Sequence, residues 1–154
     1  MVNRQWKLST SGNLKTHIKQ GVSPKEYYIH NQLYELSKVY NCLNVPRILS
    51  YNQDTETMTT VCVGTSNVSD FYGEESHKVP RRIFKAVREI IQLLYDSGVV
   101  YPDITGYNFI ESKSKGKTKL WIFDFGHAEV YPSKPNEFVE EFLLGTNSWN
   151  PDFK

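Results

Sequence analysis

The stretch from Val99 to Gly126, VVYPDITGYNFIESKSKGKTKLWIFDFG, constrains this chain more than any other. Asp103 is followed five residues later by Asn108, then by a turn-rich basic segment. An apolar strand then runs directly into Asp124-Phe125-Gly126. The segment before it is strongly periodic. Within Pro80 to Ser97, Ile83, Val87, Ile90 and Leu94 recur at helical spacing, reinforced by Phe84, Ile91 and Tyr95. Gly98 stands where a left-handed cap ends such a helix. Asn108 to Glu111 and Lys119 to Phe123 are predicted as strands of a hairpin whose tip is Ser112 to Thr118. An Asp and an Asn five apart on the loop after a helix can face the same cleft. The return strand of the hairpin then brings a second carboxylate toward it.

The rest of the chain is expected to supply a small sheet and one helix. Trp6 to Ser9 and Leu14 to Lys19 flank Thr10-Ser11-Gly12-Asn13, a hairpin pattern. Ser23-Pro24 opens a helix with proline at its tolerated first-turn position, and Ile29, Leu33 and Leu36 form its apolar stripe. Val45 to Tyr51 and Met58 to Val63 are predicted strands around the turn Asn52 to Glu56. Thr65 to Val79 is polar, with a short helix start at Ser69-Asp70. Asn136 to Leu144 is a short amphipathic helix stopped by Gly145. The aromatic tail Trp149 to Phe153 is expected to dock onto the body. Strands with one helix, followed mostly by helices with a small hairpin, make an α+β arrangement in two segregated parts.

Composition narrows the classes. In 154 residues, 39% hydrophobic and 14% aromatic content is ample for a buried core, which argues against disorder throughout. The formal net charge of +1 gives no global reason to expect nucleic acid or a membrane surface as partner. Arg81, Arg82, Lys85 and Arg88 lie mostly off the apolar stripe and are expected as a solvated helix face. No apolar run approaches a membrane span. Cys42 and Cys62 are in no metal-ligand spacing, and nothing at the N-terminus reads as a signal peptide. Both thiols are expected to be buried small hydrophobes in an intracellular, most simply cytoplasmic, protein.

YPDITGYN and FDFG together resemble the catalytic loop and the metal-binding Asp motif of the protein-kinase-like superfamily. The specific match covers about residues 80 to 130, and a looser one reaches back to about residue 15. The resemblance implies a truncated two-lobed fold, with residues 1–63 as a β-rich N-lobe and 64–154 as a reduced C-lobe. It also implies ATP and Mg²⁺ as cofactors. Phosphoryl transfer asks a protein for positioned metal, a carboxylate near the attacking hydroxyl and compensation of phosphate charge. By resemblance, Asp103 is the base, and Asn108 and Asp124 are the metal ligands. Lys19, paired with Glu26, holds the α- and β-phosphates, with Lys15 and Glu35 as alternates. Gly64 resembles the hinge whose backbone meets the adenine, and Gly126 permits the tight turn after Phe125.

The departures from the family pattern are equally specific. The N-terminal hairpin offers only Gly12 in place of a Gly-rich phosphate loop. His17 stands where a small residue is usual above the adenine, and Tyr101-Pro102 replaces His-Arg before Asp103. Thr105 replaces the Lys two residues after that Asp. In this respect the loop is similar to that of the small atypical kinase of the KEOPS tRNA-modification complex, which also carries threonine there. The short stretch after Gly126 is expected to lack the activation segment and most substrate-binding helices, the pattern of a minimal, viral-type member.

An ATP-dependent phosphotransferase is the leading reading, with its acceptor open between a protein hydroxyl, a small molecule and water. A pseudokinase or regulatory nucleotide-binding module is the alternative. An unrelated α+β interaction domain with Asp103 and Asp124 as turn residues is the third.

Overall fold

The structure, a computed structural model, describes residues 9–11, 14–130 and 136–153. Four strands open it: β1 (Ser9–Ser11), β2 (Leu14–Lys19), β3 (Ile48–Asn52) and β4 (Thr57–Val61). They form one antiparallel sheet in the order β1-β2-β4-β3. Ser9 pairs with Thr16 and Ser11 with Leu14, so Thr10 and Ser11 extend the strand rather than start the turn. Trp6, Gly12 and Asn13, which belong to the expected hairpin, lie outside the described residues. β3 starts at Ile48, later than the predicted Val45, because Asn44 forms an isolated bridge with Trp121 and Val45 is buried in the core.

Helix α1 (Pro24–Ser37) crosses between β2 and β3. The Ser23 hydroxyl accepts from the Glu26 N–H at 3.1 Å, satisfying one of the helix's orphan donors. Ile29 and Leu33 are buried as predicted, whereas Leu36 only packs against the edge of the core. Two polar residues, Glu26 and His30, are also buried on this helix, and both face the site described below.

Two short turns of helix, α2 (Val68–Tyr72) and a 3₁₀ turn at Ser76–Lys78, precede α3 (Arg81–Asp96). On α3, Ile83, Phe84, Val87, Ile90, Ile91 and Leu94 are all buried, each burial typically contributing about 1.5–3 kcal/mol. Gly98, at φ +91°, caps the helix by donating its N–H to the Tyr95 carbonyl. The basic face is not purely solvated. Arg82 reaches across to Glu111 and to the Tyr72 hydroxyl, and Arg88 donates to Asn147 at 2.6 Å.

β5 (Val99–Val100) pairs with β8 (Glu129–Val130), and the hairpin β6 (Phe109–Ser114)–β7 (Lys117–Ile122) lies between them in sequence. α4 (Glu137–Leu143) is capped by the Asn136 side chain and sets Phe142 edge-on to Phe84. The tail docks through Trp149, whose ring lies 4.5 Å from that of Phe84. Cys62 is half-buried, but Cys42 is exposed, contrary to expectation, because it follows the end of α1 in a surface turn. Among the described residues no helix is long and apolar enough to cross a membrane.

Candidate active site

The pleat of the sheet selects which side chains face the site. Along β2, His17 and Lys19 share one face. Their partners on β4, Thr60 and Met58, share it too. These four, with Glu26 and His30 from α1 and Phe123 and Asp124 after β7, line one cleft. Lys19 Nζ lies 2.5 Å from Glu26 Oε2 and 2.9 Å from Asp124 Oδ1, so one ammonium ties sheet, helix and hairpin together. The alternates do not converge: Lys15 is exposed, and Glu35 pairs with Lys38 at 3.2 Å on the surface.

Burial works to lower the pKa of Lys19, but Asp124 and Glu26 outweigh it and hold the ammonium above its ordinary value. Burial lifts the Glu26 carboxyl above the usual carboxylate range, with Lys19 pulling the other way. A buried cation between two carboxylates is well compensated, and removing the cation would leave two facing carboxylates without a counter-charge.

Asp124 holds a left-handed backbone, φ +66°, a conformation that Asp and Asn tolerate better than most residues. This puts the sharp reversal at Asp124 itself. Gly126 matters for a different reason than turn geometry. A Cβ there would stand 3.3 Å from Glu26 Oε1 and 3.5 Å from Asp124 Oδ1, so glycine lets the chain pass close to both carboxylates.

The Asp103 loop is braced from several directions. Ile104 N–H donates to the Pro102 carbonyl at 2.8 Å and Thr105 N–H to the Asp103 carbonyl at 3.0 Å. Asn108 ends a 3₁₀ turn (Gly106–Asn108) rather than starting the strand, and its side-chain N–H donates to the Asp103 carbonyl at 2.8 Å. That contact fixes which end of the amide is nitrogen, leaving the oxygen as the end able to ligate a cation. The Tyr101 hydroxyl donates to the Phe123 carbonyl at 2.7 Å, and Phe123 N–H donates to the Asn108 carbonyl at 3.2 Å. The residue immediately before Asp124 is thus gripped on both sides by the loop that carries Asp103. Asp103 and Asn108 are almost wholly buried.

Two positions of the site escaped the sequence reading. Asn150 brackets Asp103 from outside: its side-chain N–H donates to the Pro102 carbonyl at 2.7 Å and its backbone N–H to the Ile104 carbonyl at 2.9 Å. Gly106 is the other. A Cβ there would meet Ser69 Oγ at 2.3 Å and Ser69 N at 3.0 Å, so only glycine lets the loop lie against α2. Gly64 does not line the cleft. A Cβ at that position would stand 2.9 Å from Ile110 Cγ2, so glycine serves close packing between the strand end and the hairpin. Val61 and Val63 line the cleft on either side of Cys62 instead.

His30 Nε2 lies 2.7 Å from the Pro46 carbonyl and its ring meets Phe125 edge-on, so the neutral imidazole donates to that carbonyl. Burial pushes its pKa down to about 4 from 6.5, and Lys19 and His17 add to the shift against the Pro46 contact. Between these two values the unfolded chain binds the proton and the folded one does not. Stability is therefore fully present above pH 6.5 and lost as pH falls toward 4, by about 3 kcal/mol from this group. Urea unfolding at a series of pH values is expected to show this acid slope in the wild type and a shallower one in His30→Gln. Equal slopes would assign the acid sensitivity to another group.

No protein-family model matches the chain, and no curated protein is similar to it in sequence. Solved protein kinases are similar to it in fold. The kinase PK-1 of Cydia pomonella granulovirus superposes with a TM-score of 0.57 at 13% identity, covering 77% of this chain and 45% of that one. The Rad53 kinase domain with SCD2 superposes with a TM-score of 0.52 at 18% identity, covering 75% of this chain and 45% of that one. The chain has a protein-kinase-like fold and spans less than half the length of these two structures.

Proposed function

We propose that this chain is a reduced, atypical kinase-like phosphotransferase that uses ATP and Mg²⁺. The observation that carries the reading is Lys19 Nζ held between Glu26 and Asp124, three charged groups from separate elements meeting in one cleft. A surface ion pair needs no such convergence, and burying three charges is costly unless a task retains them. The donor set fits the cofactors. Asn108 and Asp124 supply the oxygens that a hard cation prefers, and magnesium commonly takes only one or two protein ligands beside substrate phosphates. Lys19 supplies the compact positive charge that phosphates attract.

Bound Mg-ATP would supply the phosphoryl group and neutralise its developing charge. The chain's own residues do the rest. Asp103 accepts the proton of the acceptor hydroxyl. That oxygen bonds to the γ-phosphorus as the bond to the departing ADP breaks. Asn108 and Asp124 would hold the metal, and Lys19, steadied by Glu26, would hold the phosphate oxygens. Asn150 and Tyr101 keep the Asp103 loop and the Asp124 turn in register.

The cleft at Lys19 holds only about 30 Å³ of open space, less than a nucleotide needs. Thermal denaturation with Mg-ATP tests the reading. A magnesium-dependent rise in Tm is expected for the wild type, and Lys19→Ala should weaken nucleotide binding by about 1.5–3 kcal/mol for each charge-assisted hydrogen bond lost. No magnesium-dependent shift in the wild type would sink it.

A further inference from the structure

The net charge of +1 hides a local concentration of one sign. Between Ser112 and Phe123 the chain carries Lys113, Lys115, Lys117 and Lys119 and no carboxylate. These lysines alternate with Ser114, Gly116 and Thr118 around the tip of the β6–β7 hairpin. Lys115 and Gly116 form that tip at φ +52° and +76°, the two-residue turn that keeps the strands paired to their ends. Ser112 lies opposite Lys119, Ser114 opposite Lys117 and Ile110 opposite Trp121, so these side chains share one face of the ladder. With Lys115, the two serines, the two lysines and Trp121 line a groove of about 340 Å³.

Two features separate this face from an ordinary solvated one. Among the described residues, no carboxylate stands within ion-pair distance of Lys115, Lys117 or Lys119, whereas the exposed Lys25 and Lys38 each face one. Three uncompensated ammonium groups on one short hairpin make a local field that attracts anions. The second feature is an aromatic ring held in place at the root of the same face. Trp121 Nε1–H donates to Ser112 Oγ at 2.8 Å, and Asn44 pins the strand beside it by donating to the Leu120 carbonyl at 3.2 Å. The indole is half-buried, and Lys119 Nζ lies 5.8 Å from its ring. With its N–H already satisfied, the indole has its π-face left to offer, next to a positive charge.

We infer that this face of the hairpin binds a single-stranded nucleic acid, with phosphates at the lysines and a base stacked on Trp121. Lys117 and Lys119, two apart on one strand, stand about 6.6–6.8 Å from each other along the backbone. That interval is close to the separation of neighbouring phosphates on an extended strand. The Ser114 hydroxyl can donate to a phosphate oxygen between them. Stacking on an indole suits any base, so lysines and one aromatic platform suffice for binding without sequence preference. An anionic membrane fits less well, because the Lys115-Gly116 tip has no apolar side chain to insert and the indole sits at the root. An acidic peptide would satisfy the lysines and leave the aromatic platform unused. The groove shares no residue with the cleft at Lys19, so the inference stands apart from the phosphotransferase reading.

Fluorescence anisotropy with a short labelled oligouridylate, read over a series of salt concentrations, tests the assignment. The wild type is expected to bind with a slope of log affinity on log salt of about −2, from roughly 0.7 for each of three phosphate contacts. The surface variant Lys117→Gln/Lys119→Gln should bring that slope to about −0.7 and weaken binding about tenfold or more at low salt. In the wild type the Trp121 indole N–H resonance should shift on titration. Trp121→Leu, once its Tm shows it folded, should bind about tenfold more weakly through lost stacking. If that variant does not fold, the indole shift in the wild type decides the point. No binding at low salt, an unchanged slope in the lysine variant, or an unmoved Trp121 resonance would overturn the inference. Displacement by Mg-ATP would put the strand in the cleft and overturn it too. Equal affinity for inorganic polyphosphate would reduce the face to a general anion site. Tighter binding to phosphatidylserine vesicles or to a polyglutamate peptide would likewise replace the nucleic acid with another partner.

Discussion

Asp103→Asn is expected to keep Mg-ATP affinity within about twofold while cutting turnover by about 10²–10⁴, the usual contribution of a positioned general base. The substitution is nearly isosteric. The backbone around it is held through carbonyls and N–H groups that the change leaves alone: Pro102 and Ile104 by Asn150, and Asp103 by Asn108 and Thr105. The side chain is almost wholly buried, so a loss of turnover at unchanged affinity would assign it to the reacting proton rather than to nucleotide binding. A carboxylate that merely capped the loop would behave differently. Its loss would lower the Tm and leave activity per folded molecule intact. If the wild type binds Mg-ATP yet turns over no faster than Asp103→Asn, the phosphotransferase claim fails. The nucleotide-binding pseudokinase then takes its place.

Asp124→Asn is expected to remove the magnesium dependence of nucleotide binding itself. Even outer-shell partners of a metal typically account for about 10–100-fold in affinity, and Asp124 is proposed as a direct ligand. Asn tolerates the left-handed backbone at this position as well as Asp does, so the turn is preserved while one charge is lost. Lys19 then keeps Glu26 as its partner at 2.5 Å, and the ammonium is not stranded. Titration calorimetry with ATP, with and without magnesium, separates the outcomes. Equal affinities in both conditions are expected for the variant only. A variant that still gains affinity from magnesium would move the metal site away from Asp124.

Local signals carried far in this chain because much of its architecture rests on short-range periodicity. The stripe on α3 needs only spacing of 3.6 residues, and its end follows from Gly98 alone. The start of α1 follows from Ser23-Pro24. The convergence of Lys19 with Glu26 was legible because the lysine ends a strand and the glutamate opens the very next helix, seven residues on. Where the reading missed, the determinants were distant in sequence. β3 begins late because Asn44 meets Trp121 of the hairpin. Arg82 stays exposed as expected, but its pairing with Glu111 and Tyr72 was not legible because both are brought beside it from afar.

By itself the sequence determined which residues can do chemistry: Asp103, Asn108, Asp124, Lys19 and Glu26 are of the right types, on loops and strand ends that local pattern defines. Only the tertiary structure decided that Asp124 and Glu26 share one ammonium, and that Tyr101 and Asn108 grip the residue before Asp124. The clasp of Asn150 on the Asp103 loop was its decision too. The physical reason is the different range of the two kinds of information. Periodicity and capping act over one or two helical turns, and any segment with the right spacing satisfies them. A hydrogen bond from Asn150 to Pro102 spans 48 positions, and no local pattern encodes it. It forms because Trp149 finds its place against Phe84 and Phe109, and burial of that ring carries the neighbouring amide to the loop.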